Sequence, residues 1–366
     1  MKKTLTGIIW FLMFFLWFFV LGYFLGKIID TFDYNFGGLE IILVWIIIFI
    51  CWQVSLILHE AGHLLFGKLT GYSFLSFRYK SFTIFKDERG KYSFKKYGIH
   101  GTAGQCLMIP PKTNDLPIFW YNAGGVIVNF FLAVIGLVFL RFEISPLLKI
   151  IPLTLFFVNI LFVMFNWLPL PNVRNDGVNY KEAKKYQDSR LAFLYLLRSN
   201  GEMAYGTRLI EIEFDNDLIE RLDVKKPLQA SLLLLVSLQQ LYNKDFSSYK
   251  KNLEKIRSAQ DNPKALQKIL TKPYYYLVDL IELREEAINK KDKYTKMILK
   301  KMKYEAFFQF VNFYEKLIFD GKIDRLLQQK YIRIATNCPT PGEGKDILDL
   351  ADFLIDAYIN NKEVFN

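Results

Sequence analysis

Two histidines and a glutamate stand close together in the first quarter of the sequence, at His59, Glu60 and His63. Residues four apart lie on the same face of an α-helix, so the two imidazoles can hold one metal ion. Zinc is typical of such a pair, and the adjacent carboxylate can act as a base on water. The pattern predicts a zinc site with His59 and His63 as ligands and Glu60 as the catalytic carboxylate.

This motif ends an uncharged run, Ile41 to Leu58, in a chain that is 52% hydrophobic. A membrane-spanning helix needs about 20 mainly apolar residues, and ionisable groups at membrane depth are costly and usually functional. Four runs are about long enough. They lie between Lys3 and Lys27, up to the histidine motif, at 117–140 and at 150–171. We expect a mainly α protein with a polytopic core of about four transmembrane helices.

The first run is longer than the apolar part of a signal peptide, so we interpret 1–36 as a retained transmembrane anchor. The loop after the second run is rich in lysine and arginine, which are retained on the cytoplasmic side of membranes. This predicts a multi-pass protein of the cell membrane with both termini in the cytoplasm. The net charge of +11 fits that topology, and no motif indicates nucleic-acid binding. High lysine, isoleucine, asparagine and phenylalanine usage is compatible with a bacterial source.

Residues 73–96 alternate between apolar and polar types around a turn at Lys86 to Gly90. Such alternation predicts a β-hairpin or a small sheet inserted into the helical core of residues 37–177. Its position after the histidine motif allows two interpretations. One strand edge could pair with an extended peptide, or the hairpin could be purely structural.

A catalytic zinc site usually has three protein ligands. The fourth apolar run ends at Pro169 and Pro171, which break a helix, and Asp176 follows on the side where His59 and His63 lie. Asp176 is therefore the candidate third ligand. His100 is the alternative, although a loop histidine without a catalytic role is the simpler interpretation of that residue.

The histidine motif together with the later Asn-x-x-Pro-x-Pro and Asp-Gly segments resembles the site-2 protease family of intramembrane zinc metalloproteases. Gly125 to Asn129 is similar to the family's Gly-Pro-x-x-Asn segment, with Val126 in place of proline. Four residues separate Pro171 from Asp176, where the family usually has two. The resemblance covers about 40–177. It implies His59, His63 and Asp176 as metal ligands and Glu60 as the catalytic residue.

Asn129 and Asn166 are polar residues inside predicted membrane helices. They could bind the backbone of a substrate or orient the metal ligands. Asn159 lies seven residues before Asn166 on the same helical face. For this residue an interhelical hydrogen bond is an equally good interpretation.

Residues 178–366 contain amphipathic stretches separated by short turns, which indicate a helical soluble domain in the cytoplasm. The domain could be an array of tetratricopeptide-like hairpins or a plain helical bundle, and it could bind a protein partner or a substrate tail. The sequence as a whole predicts a zinc endopeptidase that cuts membrane-bound substrates within or near their transmembrane segments. The alternatives are a catalytically silent membrane receptor or scaffold and a transporter or immunity-type protein.

Overall fold

The computed structural model describes residues 15–16, 19–20, 22–24, 26–27, 37–96, 103–113, 117–169, 174–259 and 271–360. Most of the predicted N-terminal anchor and His100 lie outside these residues. Within them the chain is mainly helical with one small antiparallel sheet. The mainly α class with a sheet insertion is therefore confirmed. The expectation that the core has about four transmembrane helices remains a prediction.

Three helices in the part of the chain that the structure describes are long and apolar enough to cross a membrane. They are α1 (Gly38–Leu69), α2 (Ile118–Phe139) and α3 (Pro146–Trp167). Large apolar side chains on α1, such as Trp45 and Phe49, are exposed, as expected for a surface that faces lipid. The chain is thus compatible with a membrane protein.

Glycines allow these helices to approach closely. A Cβ atom on Gly62 of α1 would lie 2.4 Å from the carbonyl oxygen of Gly124 on α2. A Cβ on Gly136 of α2 would lie 2.6 Å from the carbonyl oxygen of Pro152 on α3. Small residues at crossing points are typical of helix packing in membranes, because van der Waals contact replaces the hydrophobic effect there.

The sheet has four antiparallel strands in the order β3-β2-β1-β4. The strands are β1 (Ser73–Tyr79), β2 (Phe82–Lys86), β3 (Tyr92–Lys96) and β4 (Gly104–Ile109). The predicted hairpin at 73–96 is present as β1 to β3. β4 extends it beyond the predicted bounds.

The register gives the sheet two different faces. The inner face carries the buried polar residues Ser76, Arg78 and Thr83 and lines a cavity of about 280 Å³ with helices of the C-terminal half. The outer face of the β2–β3 hairpin carries the paired residues Lys86 and Tyr92, Ile84 and Phe94, and Phe82 and Lys96.

Ten further α-helices follow within 174–259 and 271–360, with short 3₁₀ turns at Leu209–Glu211 and Arg284–Lys290. They are α4 (Asp176–Lys185), α5 (Gln187–Tyr205), α6 (Asn216–Arg221), α7 (Pro227–Tyr242), α8 (Phe246–Ser258), α9 (Lys272–Leu283), α10 (Lys293–Lys301), α11 (Ala306–Asp320), α12 (Arg325–Thr336) and α13 (Pro341–Ile359).

Aspartates set the start of four of these helices, because each carboxylate accepts a hydrogen bond from a backbone amide of the first turn. These N-cap residues are Asp215, Asp245, Asp292 and Asp324. Helix α7 packs against α8, and α11 packs against α12, so each pair forms a helical hairpin. Both hairpins contribute to one large apolar core. The tetratricopeptide-like arrangement stays a prediction.

The chain divides into two compact units. The first contains α1, α2 and α3 and extends to Lys181 in α4. The second contains the sheet and the helices from Glu182 onward. This grouping differs from the prediction that the strands belong to the membrane core of residues 37–177. The structural reason is contact with α5, where a Cβ on Gly201 would lie 2.5 Å from the Ile109 side chain of β4. Arg198 also donates hydrogen bonds to the Pro111 and Thr113 carbonyls.

Asp346 in α13 provides a test of the packing in the second unit. Its carboxylate is fully buried and accepts hydrogen bonds from Arg208 Nε at 2.6 Å and from the Leu209 amide at 2.7 Å. Asp346→Ala should destabilise this unit by about 3 kcal/mol, because the Arg208 guanidinium loses its buried partner and the buried Leu209 amide loses its acceptor. Asp349 contacts the same arginine but is 54% exposed, so Asp349→Ala should cost less than about 1 kcal/mol. Pulse proteolysis of the full chain across a urea series measures both values, and equal losses would contradict this assignment.

Candidate metal centre

His59 and His63 lie one turn apart on α1, and both are buried, at 4% and 7% exposure. Their Nε2 atoms point to the same place and are 3.2 Å apart. The rings lie nearly perpendicular, with centroids 4.8 Å apart. The predicted helical spacing therefore brings two imidazole nitrogens to one point on a mainly apolar helix.

Asp176 approaches the same point from the start of α4. Its Oδ2 atom is 3.3 Å from His59 Nε2 and 3.3 Å from His63 Nε2. The three atoms form a nearly equilateral triangle. Among the described residues, these three form the group of histidine, cysteine and acidic side chains that could hold a metal ion.

The triangle can be compared with the geometry of metal coordination. Zinc binds imidazole nitrogen and carboxylate oxygen at about 2.0–2.2 Å, usually tetrahedrally, which places neighbouring ligand atoms about 3.3 Å apart. The observed edges of 3.2 and 3.3 Å match this value. A nitrogen-nitrogen-oxygen donor set with one open position also suits a catalytic metal ion. The residues therefore fit a bound metal.

The Asp176 carboxylate depends on how α3 ends. The Asn175 side-chain amide donates hydrogen bonds to the carbonyls of Phe165, at 2.7 Å, and Leu168, at 2.6 Å, and its Oδ1 accepts one from the Val178 amide at 3.0 Å. One side chain thus satisfies carbonyls left open at the end of α3 and caps the start of α4. Residues 170–173, which include most of the extra residues before Asp176, lie outside the described part.

Gly177 brings α4 close to the end of α3. A Cβ at this position would lie 2.1 Å from the carbonyl oxygen of Trp167. The rings of Trp167 and Tyr180 stack with centroids 5.7 Å apart, which strengthens the same contact. The Asp-Gly pair therefore has a structural explanation, since glycine permits the approach that positions Asp176.

The other ring nitrogens of the histidines also have partners. His59 Nδ1 lies 2.6 Å from Asn129 Oδ1, and His63 Nδ1 lies 2.7 Å from the Tyr121 carbonyl oxygen. Both partners are acceptors, so each Nδ1 carries the proton and donates it. This tautomer leaves both Nε2 lone pairs directed at the centre, which is the usual arrangement of metal-binding histidines.

Asn129 belongs to a buried network between the three long apolar helices α1, α2 and α3. Its amide donates to Asn159 Oδ1 at 2.7 Å and to the Ser55 carbonyl at 3.3 Å. Asn159 in turn donates to Ser55 Oγ at 2.9 Å. Asn129 is fully buried, so its position favours the role of orienting His59.

The predicted substrate contacts of Asn129 and Asn166 remain predictions. Asn166 is half-buried, and its amide donates to the Phe162 carbonyl in its own helix at 2.9 Å. Glu60 is buried beside His59, at 9% exposure, and interacts electrostatically with His63. The predicted catalytic carboxylate thus lies in the same buried layer as the ligands.

Tyr121 and Asn175 support the metal centre in roles that were not predicted from the sequence. The Tyr121 carbonyl could not be identified from sequence, because any residue type offers one. Asn175 could have been, since an asparagine before Asp-Gly and a helical stretch is a common helix-start signal. Gly125 also gains a specific role, because a Cβ there would lie 2.6 Å from the His59 ring.

No family model matches the chain, and neither curated proteins nor solved structures gave a match. The fold and the site themselves define a helical protein with three membrane-type apolar helices and a candidate metal centre formed by one of them and the start of α4.

Asn129→Ala should weaken metal binding about 10- to 100-fold, as expected for the loss of a hydrogen-bonding partner to a metal ligand. Asn122→Ala is the matched control. Asn122 is a buried residue of the same helix whose amide donates to the Ile118 carbonyl. Competition with a chelator of known affinity measures the change. Equal affinities in the two variants would show that Asn129 does not support the centre.

Gly177→Ala should lower metal affinity about tenfold or more, because the added methyl group pushes α4 away from the Trp167 carbonyl and moves Asp176. Val178→Ala, one residue later, removes atoms instead of adding them and should retain wild-type affinity. Metal titration of the purified variants distinguishes them. Unchanged binding by Gly177→Ala would mean that Asp176 is not held by this contact.

Proposed function

We propose that the protein is a membrane-embedded zinc endopeptidase that hydrolyses peptide bonds within or near transmembrane segments of membrane-bound substrates. The observation that carries this proposal is the triangle that Asp176 Oδ2, at the start of α4, forms with His59 Nε2 and His63 Nε2 on the apolar helix α1. Buried ionisable groups on such helices are costly, which supports a functional reason for their presence.

Zinc is the metal of this proposal, because two imidazoles, one carboxylate and an open position are the usual donor set of a catalytic zinc site. The same donor set also serves iron(II), and metal analysis of the purified chain distinguishes the two. When bound, zinc polarises the scissile carbonyl and makes water acidic enough to attack near neutral pH.

Each residue has a distinct task in this proposal. His59, His63 and Asp176 hold the metal, while Asn129 and the Tyr121 carbonyl keep the imidazoles in the correct tautomer. Glu60 accepts the proton of the attacking water and passes it to the leaving nitrogen. A helical substrate hides its backbone amides, so the segment that is cut must first become extended.

The positive-inside rule places the centre at the cytoplasmic ends of its helices. In this proposal a membrane protein or membrane-bound peptide enters from the bilayer and is cut near that side. The helical part of the second unit then provides surface for a protein partner. A catalytically silent scaffold would need neither the metal geometry nor a buried Glu60.

Zinc analysis and peptide cleavage by the detergent-purified chain test the proposal together. Glu60→Gln should retain near-stoichiometric zinc and lose cleavage of a fluorogenic model transmembrane peptide by about 10²- to 10⁴-fold, since only the base is removed. Asp176→Ala should lose both zinc and cleavage, because one of three ligands is absent. Asn122→Ala serves as the control for mutation within the same unit.

A native chain that binds no zinc when supplied with it would overturn the metal assignment. Zinc retained by Asp176→Ala would move the third ligand elsewhere, and His100 would be tested next. Cleavage unchanged by Glu60→Gln would exclude this residue as the base.

A further inference from the structure

The β2–β3 hairpin presents an unusual outer face. Cross-strand pairing brings Lys86 beside Tyr92, Ile84 beside Phe94, and Phe82 beside Lys96. A central apolar pair is therefore flanked at each end by one aromatic ring and one lysine. The exposed fractions are 67% for Phe82, 55% for Tyr92 and 81% for Phe94.

The opposite, inner face of the sheet packs against the C-terminal helices. Thr83 is buried, and Phe85 lines the cavity between the sheet and the C-terminal helices. Because alternate residues point to opposite sides of a strand, the outer face cannot use these helices for burial. Three exposed aromatic residues on one small face indicate an interaction surface.

The charge around this face is positive. Residues 79–96 contain six cationic side chains against two acidic ones, and the acidic pair, Asp87 and Glu88, lies in the turn beyond the paired residues. The six are Lys80, Lys86, Arg89, Lys91, Lys95 and Lys96. A basic surface with exposed aromatics matches the headgroup layer of an anionic membrane, where rings enter the interface and lysines meet lipid phosphates.

The chain also keeps the start of β1 within a short distance of the end of α1, a helix apolar enough to cross a membrane. Only Thr70, Gly71 and Tyr72 separate the end of α1 from β1, so β1 begins within about 14 Å of the helix end. The Tyr72 amide donates a hydrogen bond to the Gly67 carbonyl at 3.0 Å, which shortens this connection further. A peptide or a second copy of the chain would have to reach a surface already tethered next to lipid.

We propose that the outer face of the β2–β3 hairpin, formed by Phe82, Ile84, Lys86, Tyr92, Phe94 and Lys96, docks on the anionic headgroup surface of the bilayer. The aromatic rings enter the interfacial layer, and the two lysines extend to lipid phosphates. The inner face of the same sheet binds the C-terminal helices. The sheet therefore attaches the second unit to the membrane surface, and this role is independent of any peptidase activity.

Nitroxide labels on neighbouring residues of β3 test the proposal in the full chain, reconstituted into vesicles of phosphatidylcholine and phosphatidylglycerol. In a background with Cys51, Cys106 and Cys338 replaced by alanine, Phe94→Cys places the label on the outer face and Ser93→Cys on the inner side. A label at Trp45→Cys in α1 shows that the chain is inserted. Membrane contact should give position 94 a severalfold higher ratio of oxygen to nickel-chelate accessibility than position 93.

Lipid charge gives a second measurement, made with the same label at residue 94. Lys96→Glu, with the label kept at residue 94, should lower this ratio in anionic vesicles and leave it unchanged in pure phosphatidylcholine. Lys95→Glu, whose side chain lies on the inner side next to Phe85, is the matched control and should change it less.

Equal, water-like accessibility at positions 93 and 94 in an inserted chain would overturn the proposal. Position 94 shielded from both oxygen and nickel would also overturn it, because a protein partner or a second copy would then cover the face.

Discussion

The contact between the backbones of α1 and α2 at Gly62 and Gly124 sets the distances on which the metal centre depends. A Cβ on either residue would lie within 2.5 Å of the carbonyl oxygen of the other. At this separation the His59 ring occupies the space beside Gly125 and reaches Asn129 on the facing helix. A wider spacing would leave both imidazole Nδ1 atoms without acceptors, and an unpaired polar group in an apolar interior is costly.

The parts of the site that could be predicted from sequence are those encoded by local periodicity. His59 and His63 share a face because they are four residues apart, and Asp176 was identified because prolines end the preceding helix. The sequence leaves two roles open for Asn129, substrate binding and orientation of a metal ligand. The choice depends on which helix faces Asn129, and helix pairing is not encoded in local periodicity. The Tyr121 carbonyl was beyond prediction because a backbone oxygen carries no sequence signal.

In the fold, too, the elements that could be predicted are those encoded by local periodicity. Long apolar runs gave α1, α2 and α3, and alternation gave the first three strands. β4 was missed because Gly104 to Ile109 does not alternate between apolar and polar residues, and its strand character depends on pairing with β1. The grouping of the sheet with the C-terminal helices also lay beyond local pattern. It rests on the contacts of β4 and the segment after it with α5, at positions about 90 residues apart in the chain.

The sheet and the C-terminal helices need each other. An isolated two-stranded hairpin is at most marginally stable in water, and a small sheet becomes stable by packing one face, such as packing against a helix. The inner face of this sheet includes the fully buried guanidinium of Arg78. That group donates to the carbonyls of Lys80 and Gly104, so it binds the end of β1 to the start of β4. A buried cation is tolerated only when hydrogen-bonded, and the Gly104 carbonyl is in place only once β4 is paired. The four strands therefore belong structurally to the second unit. In the sequence, however, they lie between the second and third predicted membrane runs.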